Sequence, residues 1–260
     1  MPKIMQIIKA NPTEVRRVPD GEPSLMVAEF FYNTIQGEGV YTGHPAAFLR
    51  MQHCTMNCFW CDTASVWRQG NPYTLDELFD LMDKSNDGTK DVVSCLAEGQ
   101  HLVLTGGSPL LQQDMLLQFI RAFGERYQFY PFIEIENECT IKPNPELIPY
   151  ISCWNNSPKL SNSGNVRQLR YQPEILKKLS SFKNSWFKFV VRDEADWNEI
   201  QTAYLDPLLI KREQIILMPR GGSRAELEQN RPNVVEMAVK YNVRYSTREH
   251  VVLWDKMTGV

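Results

Sequence analysis

The chain has 260 residues, of which 43% are hydrophobic and 23% are charged, and its formal net charge of −3 is that of an ordinary globular protein. This balance argues against a nucleic-acid-binding protein, which needs a basic face, and no apolar run approaches the roughly 20 residues that a membrane span requires. The N-terminus carries Lys and Arg without a long apolar segment, so we expect no signal peptide and a cytoplasmic protein.

In chain order, residues 1–24 contain Pro12, Pro19, Gly21 and Pro23 and are predicted to form an irregular arm. Residues 25–260 are predicted to form a single domain in which strand-like and helix-like segments alternate. Strands are predicted at residues 26–35, 46–52, 101–105, 132–136, 150–154, 186–191, 214–218 and 243–246. Helices are predicted at residues 74–84, 114–127, 173–182, 194–205 and 224–241, with Thr74 and Asp114 as N-caps.

The alternation of strands and helices predicts an α/β fold with a parallel sheet. The segments Leu102–Leu104 and Ile215–Leu217 within two of these strands are continuously apolar, as strands buried on both faces are. About six β/α units fit between residues 46 and 242, which is too few for a complete eight-fold barrel. We therefore expect a partial, open (β/α)6 TIM-like barrel, with a doubly wound sheet as the alternative.

The six cysteines divide into a cluster and three scattered residues. Cys95, Cys139 and Cys153 are interpreted as small buried hydrophobic side chains. The cluster is Cys54, Cys58 and Cys61, which have the spacing C-x3-C-x2-C. This distribution is typical of a reduced protein with one metal site and not of a disulfide framework.

Three thiolates on one short loop can bind three irons of a [4Fe–4S] cube and leave the fourth iron open for chemistry. The alternative is a zinc site, which needs four ligands. His53 adjoins Cys54 and would be a strained fourth ligand, and no other Cys or His pair follows at zinc-finger spacing. The pattern therefore favours an iron–sulfur cluster over zinc.

C-x3-C-x2-C after a predicted first barrel strand resembles the radical S-adenosylmethionine (SAM) superfamily. The resemblance implies that SAM chelates the open iron through its amino and carboxylate groups. An electron from the cluster then splits SAM into methionine and a 5′-deoxyadenosyl radical. It also implies that the aromatic residue before the last cysteine, here Trp60, lies against the adenine.

The flanking motifs resemble those of the 7-carboxy-7-deazaguanine synthases of deazapurine (queuosine-type) biosynthesis over roughly residues 26–260. They are Gln-Gly-Glu-Gly at 36–39, Cys-Asp-Thr at 61–63, Thr-Gly-Gly at 105–107, Ser-Pro-Lys at 157–159, Met-Pro at 218–219 and a tail with His250 and Trp254. The resemblance implies a lyase-type ring contraction of 6-carboxy-5,6,7,8-tetrahydropterin to 7-carboxy-7-deazaguanine with loss of ammonia. It further implies Mg2+, a homodimer and a reductant such as flavodoxin or ferredoxin.

The same resemblance carries roles to individual positions. Glu38 is expected to be catalytic together with the three cysteines, and Thr63 to bind Mg2+. The residues expected to bind substrate are Ile35, Gln36, Gly37, Glu38, Arg50, Thr105, His250 and Val260. The residues expected to bind SAM are Trp60, Gly106, Gly107, Glu136, Ser157, Pro158, Lys159, Met218, Pro219, Arg220 and Gly221.

The cysteine loop, Thr-Gly-Gly at 105–107, Glu136, Ser-Pro-Lys at 157–159 and Met-Pro at 218–219 all lie at the carboxyl ends of predicted strands, and that end carries the active site in β/α barrels. Each motif also has an interpretation without a functional role. Gln-Gly-Glu-Gly would then be a turn, Arg50 a surface charge, Asp62-Thr63 a helix cap and Lys159 a solvated loop residue.

The chain departs from the family pattern at two places. Ser108 stands where the family has Glu, which puts a side-chain role there in doubt. Glu-Asn-Glu-Cys-Thr at 136–140 replaces the usual Glu-Thr-Asn-Gly-Thr, so only Glu136 is carried over. Two other functions stay open at this point: a glycyl-radical enzyme activating protein, and a non-catalytic iron–sulfur regulatory relative.

Overall fold

The structure, a computed structural model, describes residues 3–260. Within these residues the strands are β1 (Met5–Ile8), β2 (Ser24–Ile35), β3 (Pro45–Met51), β4 (Asn71–Thr74), β5 (His101–Gly106), β6 (Ile133–Asn137), β7 (Cys153–Asn156), β8 (Ser185–Val191), β9 (Ile215–Pro219) and β10 (Arg244–Tyr245). The α-helices are α1 (Ala64–Trp67), α2 (Leu75–Lys84), α3 (Val92–Ala97), α4 (Gln113–Tyr127), α5 (Arg167–Arg170), α6 (Pro173–Ser180), α7 (Glu194–Ile200), α8 (Arg224–Tyr241) and α9 (Glu249–Trp254).

One sheet contains all these strands, in the order β1-β2-β3-β5-β6-β7-β8-β9-β10, with β4 paired to β2. From β3 to β10 every neighbouring pair is parallel, whereas β1, β2 and β4 pair antiparallel. Strands β3, β5, β6, β7, β8 and β9 are the six expected parallel strands. The sheet is not closed, so the predicted partial (β/α)6 architecture is confirmed as an open one.

The core forms where the predicted apolar faces meet the sheet. Leu116, Phe119 and Phe123 of α4 are at most 1% exposed, and Phe119 stacks on Phe79 of α2 with ring centroids 5.4 Å apart. Helix α2 begins with a capping box, because Thr74 and Glu77 each bind the other's backbone N–H. The predicted N-cap at Thr74 is confirmed.

Several predicted boundaries were wrong. Helix α4 begins at Gln113 with Gln112 as N-cap, so Asp114 lies in the first turn and does not cap it. The strand predicted at 150–154 is instead β7 at Cys153–Asn156, since Tyr150 belongs to a 3-10 turn at Ile148–Tyr150 that contains Pro149. The helix predicted at 194–205 changes at Ile200 into a π-helical turn.

The predicted irregular arm contains β1, whose residues Met5–Ile8 pair with β2. Its first two residues, 1 and 2, lie outside the described residues. The short elements β1, β4, α1, α3, α5 and α9 were not predicted, because four to six residues are too few to establish a periodic pattern. The division into an arm and a single domain stays a prediction.

Among residues 3–260, no helix combines the length and the apolar character needed to cross a bilayer.

We expect Leu116→Ala to lower the free energy of unfolding by about 2–5 kcal/mol, because it opens a cavity beneath the fully buried face of α4. Leu111→Ala is the matched control. It removes the same atoms from a side chain that is 47% exposed, and it should cost less than about 1 kcal/mol. Urea unfolding followed by circular dichroism under anaerobic conditions measures both, and equal losses would contradict this account of the core.

Candidate active site

The candidate site is a cavity of about 710 Å³ at the carboxyl ends of the parallel strands. Segments that end or follow six strands line it: Cys54, Cys58 and Cys61 after β3, Gly106 and Gly107 at β5, Glu136 on β6, Ser157 and Lys159 after β7, Lys188 and Val190 on β8, and Met218 and Arg220 at β9. Side chains far apart in sequence therefore converge on one space. This is the face on which barrel enzymes place their chemistry.

Each of the three clustered cysteines accepts hydrogen bonds at its sulfur. The Met56 N–H and the Ser108 hydroxyl donate to Cys54 Sγ, at 3.3 and 3.5 Å. The Asn165 side-chain amide donates to Cys58 Sγ at 3.1 Å. The Trp67 indole donates to Cys61 Sγ at 3.5 Å.

These donors fit an iron–sulfur cluster, because hydrogen bonds to ligand sulfurs tune such centres. The three thiols are half-buried and line the cavity. Burial raises the pKa of the Cys54 and Cys58 thiols. Across residues 3–260, no three His, Cys, Asp or Glu side chains converge on a point where a single metal ion would bind.

Gly107 directly follows β5, and the cysteine loop lies against it, whereas the end of β3 lies against Gly106, the last residue of β5. A Cβ on Gly107 would lie 2.2 Å from the His53 carbonyl oxygen and 2.4 Å from the Cys54 Cβ. A Cβ on Gly106 would lie 2.5 Å from the Met51 carbonyl oxygen, and this residue has a φ of +152°. These two glycines therefore allow the end of β3 and the cysteine loop to lie against the backbone of β5.

A buried ammonium lies between two carboxylates on the cavity wall. Lys188 Nζ donates to Glu38 at 2.6 Å and to Glu136 at 2.9 Å, and the Lys188 side chain is 2% exposed. Burial disfavours the Glu38 carboxylate, but Lys188 and Arg248 outweigh it and hold the pKa of Glu38 well below its usual range. Burial instead raises the pKa of Glu136, and Lys188 offsets this only in part.

Arg248 connects Glu38 to the cysteine loop. Its Nε donates to Glu38 at 3.0 Å, and its Nη2 donates to Asp62, the residue after Cys61. His250 Nε2 lies 3.9 Å from both carboxylates. The His250 ring also packs on Gly37, where a Cβ would lie 2.2 Å from Nδ1. Gly37 is thus required by a neighbouring side chain and not only by a turn.

The Gln36 amide, expected to read the substrate, is 2% exposed and committed to protein partners. Its Nε2 donates to Glu134 at 3.2 Å and to Glu136 at 3.4 Å, and its Oε1 accepts from the Glu38 N–H at 3.3 Å. In this geometry Gln36 helps to position the Glu136 carboxylate, which lines the cavity, and the backbone at Glu38.

Arg50 lines the cavity, and its Nε donates to Glu29 at 2.6 Å. Glu29 therefore fixes the orientation of the guanidinium, and the surface-charge interpretation does not hold for a side chain that is 13% exposed.

Most of the remaining expected residues also line the cavity, including Ile35, Trp60, Thr63, Thr105, His250 and Val260. Three do not: Pro158, Pro219 and Gly221 are absent from its lining. Gly221 instead accepts a hydrogen bond from Arg248 through its carbonyl oxygen. Thr63 precedes α1 without a side-chain capping bond, so the helix-cap interpretation fails for it.

Sequence reasoning missed Lys188, Arg248, Asp62, Glu138 and Asn165. A signal existed for Lys188, which is the only charged residue in the strand Ser-Trp-Phe-Lys-Phe-Val-Val. Asp62 was noted as part of a motif but not as an ion-pair partner. Nothing in the sequence pairs Asn165 with Cys58, because a loop contact across 107 residues has no local pattern.

A family model described as a 4Fe-4S single cluster domain matches residues 35–133. The 7-carboxy-7-deazaguanine synthase of Pyrobaculum aerophilum is 30% identical over 244 residues, which cover 91% of this chain and 98% of that protein. The protein of the same name from Halobacterium salinarum is 29% identical over 90% of this chain and 91% of its own length.

The crystal structure of QueE from Escherichia coli shares the fold. Its TM-score is 0.61 at 22% sequence identity, and the match covers 88% of this chain and 96% of that one. The resemblance seen in the sequence motifs is therefore matched by sequence similarity over nearly the whole chain and by the fold. The chain belongs to the 7-carboxy-7-deazaguanine synthase family.

Proposed function

We propose that this protein is a radical SAM enzyme that converts 6-carboxy-5,6,7,8-tetrahydropterin to 7-carboxy-7-deazaguanine with loss of ammonia. The observation that carries the proposal is the convergence, in one cavity, of three hydrogen-bonded cysteine sulfurs and an ordered set of carboxylates and cations. Family membership supplies the substrate class.

A [4Fe–4S] cluster held by Cys54, Cys58 and Cys61, with SAM on its open iron, supplies the one-electron chemistry when bound. The protein's own residues bind and orient a flat pterin and transfer protons to and from it. Arg50 offers guanidinium N–H groups to the substrate carboxylate, and its ion pair with Glu29 fixes their orientation.

The two carboxylates beside Lys188 suit different tasks, because their environments push their pKa values apart. Glu38 stays ionised beside two cations and accepts hydrogen bonds from the guanidine-like edge of the pterin. Glu136 has the raised pKa and is the better group to accept and return a proton. Lys188 keeps both oxygens in place.

The finer assignments belong to the same proposal. Thr63 presents a hydroxyl to the cavity without a capping role, which suits Mg2+, a hard ion that prefers oxygen. A homodimer, a flavodoxin or ferredoxin as electron donor and a cytoplasmic location stay predictions. The glycyl-radical activating and regulatory alternatives are not favoured, since curated relatives carry the name of the synthase.

Anaerobically reconstituted protein is expected to hold about four irons per chain and, with SAM, Mg2+ and reductant, to form carboxydeazaguanine from the carboxypterin. Cys58→Ala should lose most of this iron and all measurable product. Cys95→Ala changes a buried cysteine of α3 that does not line the cavity, and this variant should keep both the iron and the product. Iron analysis and mass spectrometry of the product decide it, and product from Cys58→Ala at the wild-type rate would refute the proposal.

Arg50→Lys keeps the charge but loses the fork, so we expect KM for the carboxypterin to rise at least about tenfold while SAM binding stays unchanged. Arg126→Lys is the control, because it makes the same change in a surface residue paired with Asp83. Steady-state kinetics and SAM titration measure the two effects. A normal KM in Arg50→Lys would remove Arg50 from the substrate site.

Lys188→Met removes the only cation within 4.0 Å of Glu136 among the described residues. We expect the free energy of unfolding to fall by about 3–5 kcal/mol, the usual loss when one partner of a buried pair is removed. A carboxyl whose pKa is raised in the folded state loses stability as pH rises through that pKa. Since the variant raises the pKa of Glu136 further, its loss should be larger at pH 8 than at pH 5.

Urea unfolding of the wild-type and variant proteins at the two pH values measures this difference. Lys188→Arg, which keeps a cation, is the control and should lose less at both. A loss in Lys188→Met that is independent of pH would mean that Lys188 contributes packing and not charge.

A further inference from the structure

The carboxylate of Glu138 has a vacant acceptor beside the cysteine loop. Glu138 follows β6, lines the cavity and is 4% exposed. Its Oε1 accepts from the hydroxyls of Thr55 at 3.0 Å and Thr140 at 2.5 Å. Its Oε2 is buried, and no described group lies within hydrogen-bonding distance. A buried carboxylate oxygen without a donor is costly and usually indicates a missing partner.

The backbone holds this carboxylate in place. Cys139, fully buried, has a φ of +68°, and its N–H donates to Asn137 Oδ1 at 3.0 Å. The Asn137 carbonyl accepts from the Ser157 N–H at 2.6 Å, which ties the loop to the end of β7. A non-glycine residue in the left-handed region persists only where its surroundings enforce it. Glu138 is therefore fixed before any ligand binds.

Hydrogen bonds also link Glu138 to the first cysteine. Thr55 donates its hydroxyl to Glu138 and its N–H to Ser108 Oγ at 2.9 Å, and Ser108 donates to Cys54 Sγ. Ser108 is the position at which related enzymes carry Glu. The chain thus has Ser108 and no glutamate after β5, but it has Glu138 after β6. Thr55 binds both residues, and one oxygen of Glu138 has no hydrogen-bond donor among the described residues.

The chemistry of the missing partner follows from charge. Among the described residues no Lys, Arg or His forms an ion pair with Glu138 within 4.0 Å, so an N–H donor from a ligand can bind its second oxygen. In the proposed cofactor set, the amino group of SAM, which the resemblance has chelating the open iron, carries such N–H donors.

We propose that Glu138 binds the amino group of SAM and supplies from β6 the carboxylate that Ser108 does not supply from β5. This inference rests on the proposed function and names a residue of the SAM site that neither motif nor resemblance assigns. A charge-assisted hydrogen bond of this kind is strong, and its loss weakens binding by about 10- to 100-fold.

The test is Glu138→Gln in the reconstituted holoenzyme, with SAM affinity measured by equilibrium dialysis and iron content measured in parallel. Glutamine keeps an oxygen for Thr55 and Thr140 but loses the charge. We expect SAM to bind about 10- to 100-fold more weakly at unchanged iron content. Methylthioadenosine, which lacks the amino-acid part of SAM, should bind the variant as it binds the wild-type protein. Glu146→Gln on the surface is the matched control and should leave both affinities unchanged.

Equal SAM affinity in Glu138→Gln and wild type would overturn the inference and leave the proposed function standing. A wild-type holoenzyme that binds no SAM would overturn the proposed function itself. If Glu138→Gln loses its iron, Glu138→Asp serves in its place. Weaker binding of SAM alone then supports the inference, and equal weakening of SAM and methylthioadenosine overturns it.

Discussion

The cavity depends on the two ion pairs that the Lys188 ammonium makes with Glu38 and Glu136. Lys188 lies on β8, yet it binds Glu38 from the segment after β2 and Glu136 from β6, so one charge connects three parts of the sheet. Two buried carboxylates this close would repel each other and one would take up a proton. With Lys188 between them and Arg248 beyond Glu38, both are held open to the cavity. Burying these charged groups costs desolvation free energy, so the ion pairs are weak evidence for a role in stability. A role in substrate recognition explains them better.

A small number of specific contacts also holds the cysteine loop in place. Gly106 and Gly107 let the loop lie directly on β5, and the Ser108, Asn165 and Trp67 donors reach its sulfurs from three directions. Arg248 then joins Asp62 of this loop to Glu38 of the substrate side. The cysteine loop and Glu38 are therefore joined directly by the two ion pairs of Arg248.

The sequence was most informative where a pattern is local. The strands β3, β5, β8 and β9, the helices α2 and α4, and the cysteine spacing all have a pattern or motif that can be recognised without tertiary context. Short elements such as β1 and α9 have no such pattern. They form through tertiary contacts, such as the pairing of β1 with β2. Ion pairs such as Lys188 with Glu136 were missed for a related reason, since strand order decides them and composition does not. The Gln36 amide, expected to bind substrate, also has protein partners that its motif does not indicate.

A site built at the ends of several parallel strands can replace a side chain from one strand with a side chain from another. Neighbouring strand ends lie about 5 Å apart, so a long side chain from β6 reaches the space served by β5. Glu138 and Ser108 share Thr55 as a common partner, which is the geometry that such a replacement requires. The departures at 108 and at 137–139 are then a single change and not two. A chain that lost a carboxylate without compensation would have no reason to keep a second one buried and half-satisfied beside the same cysteine.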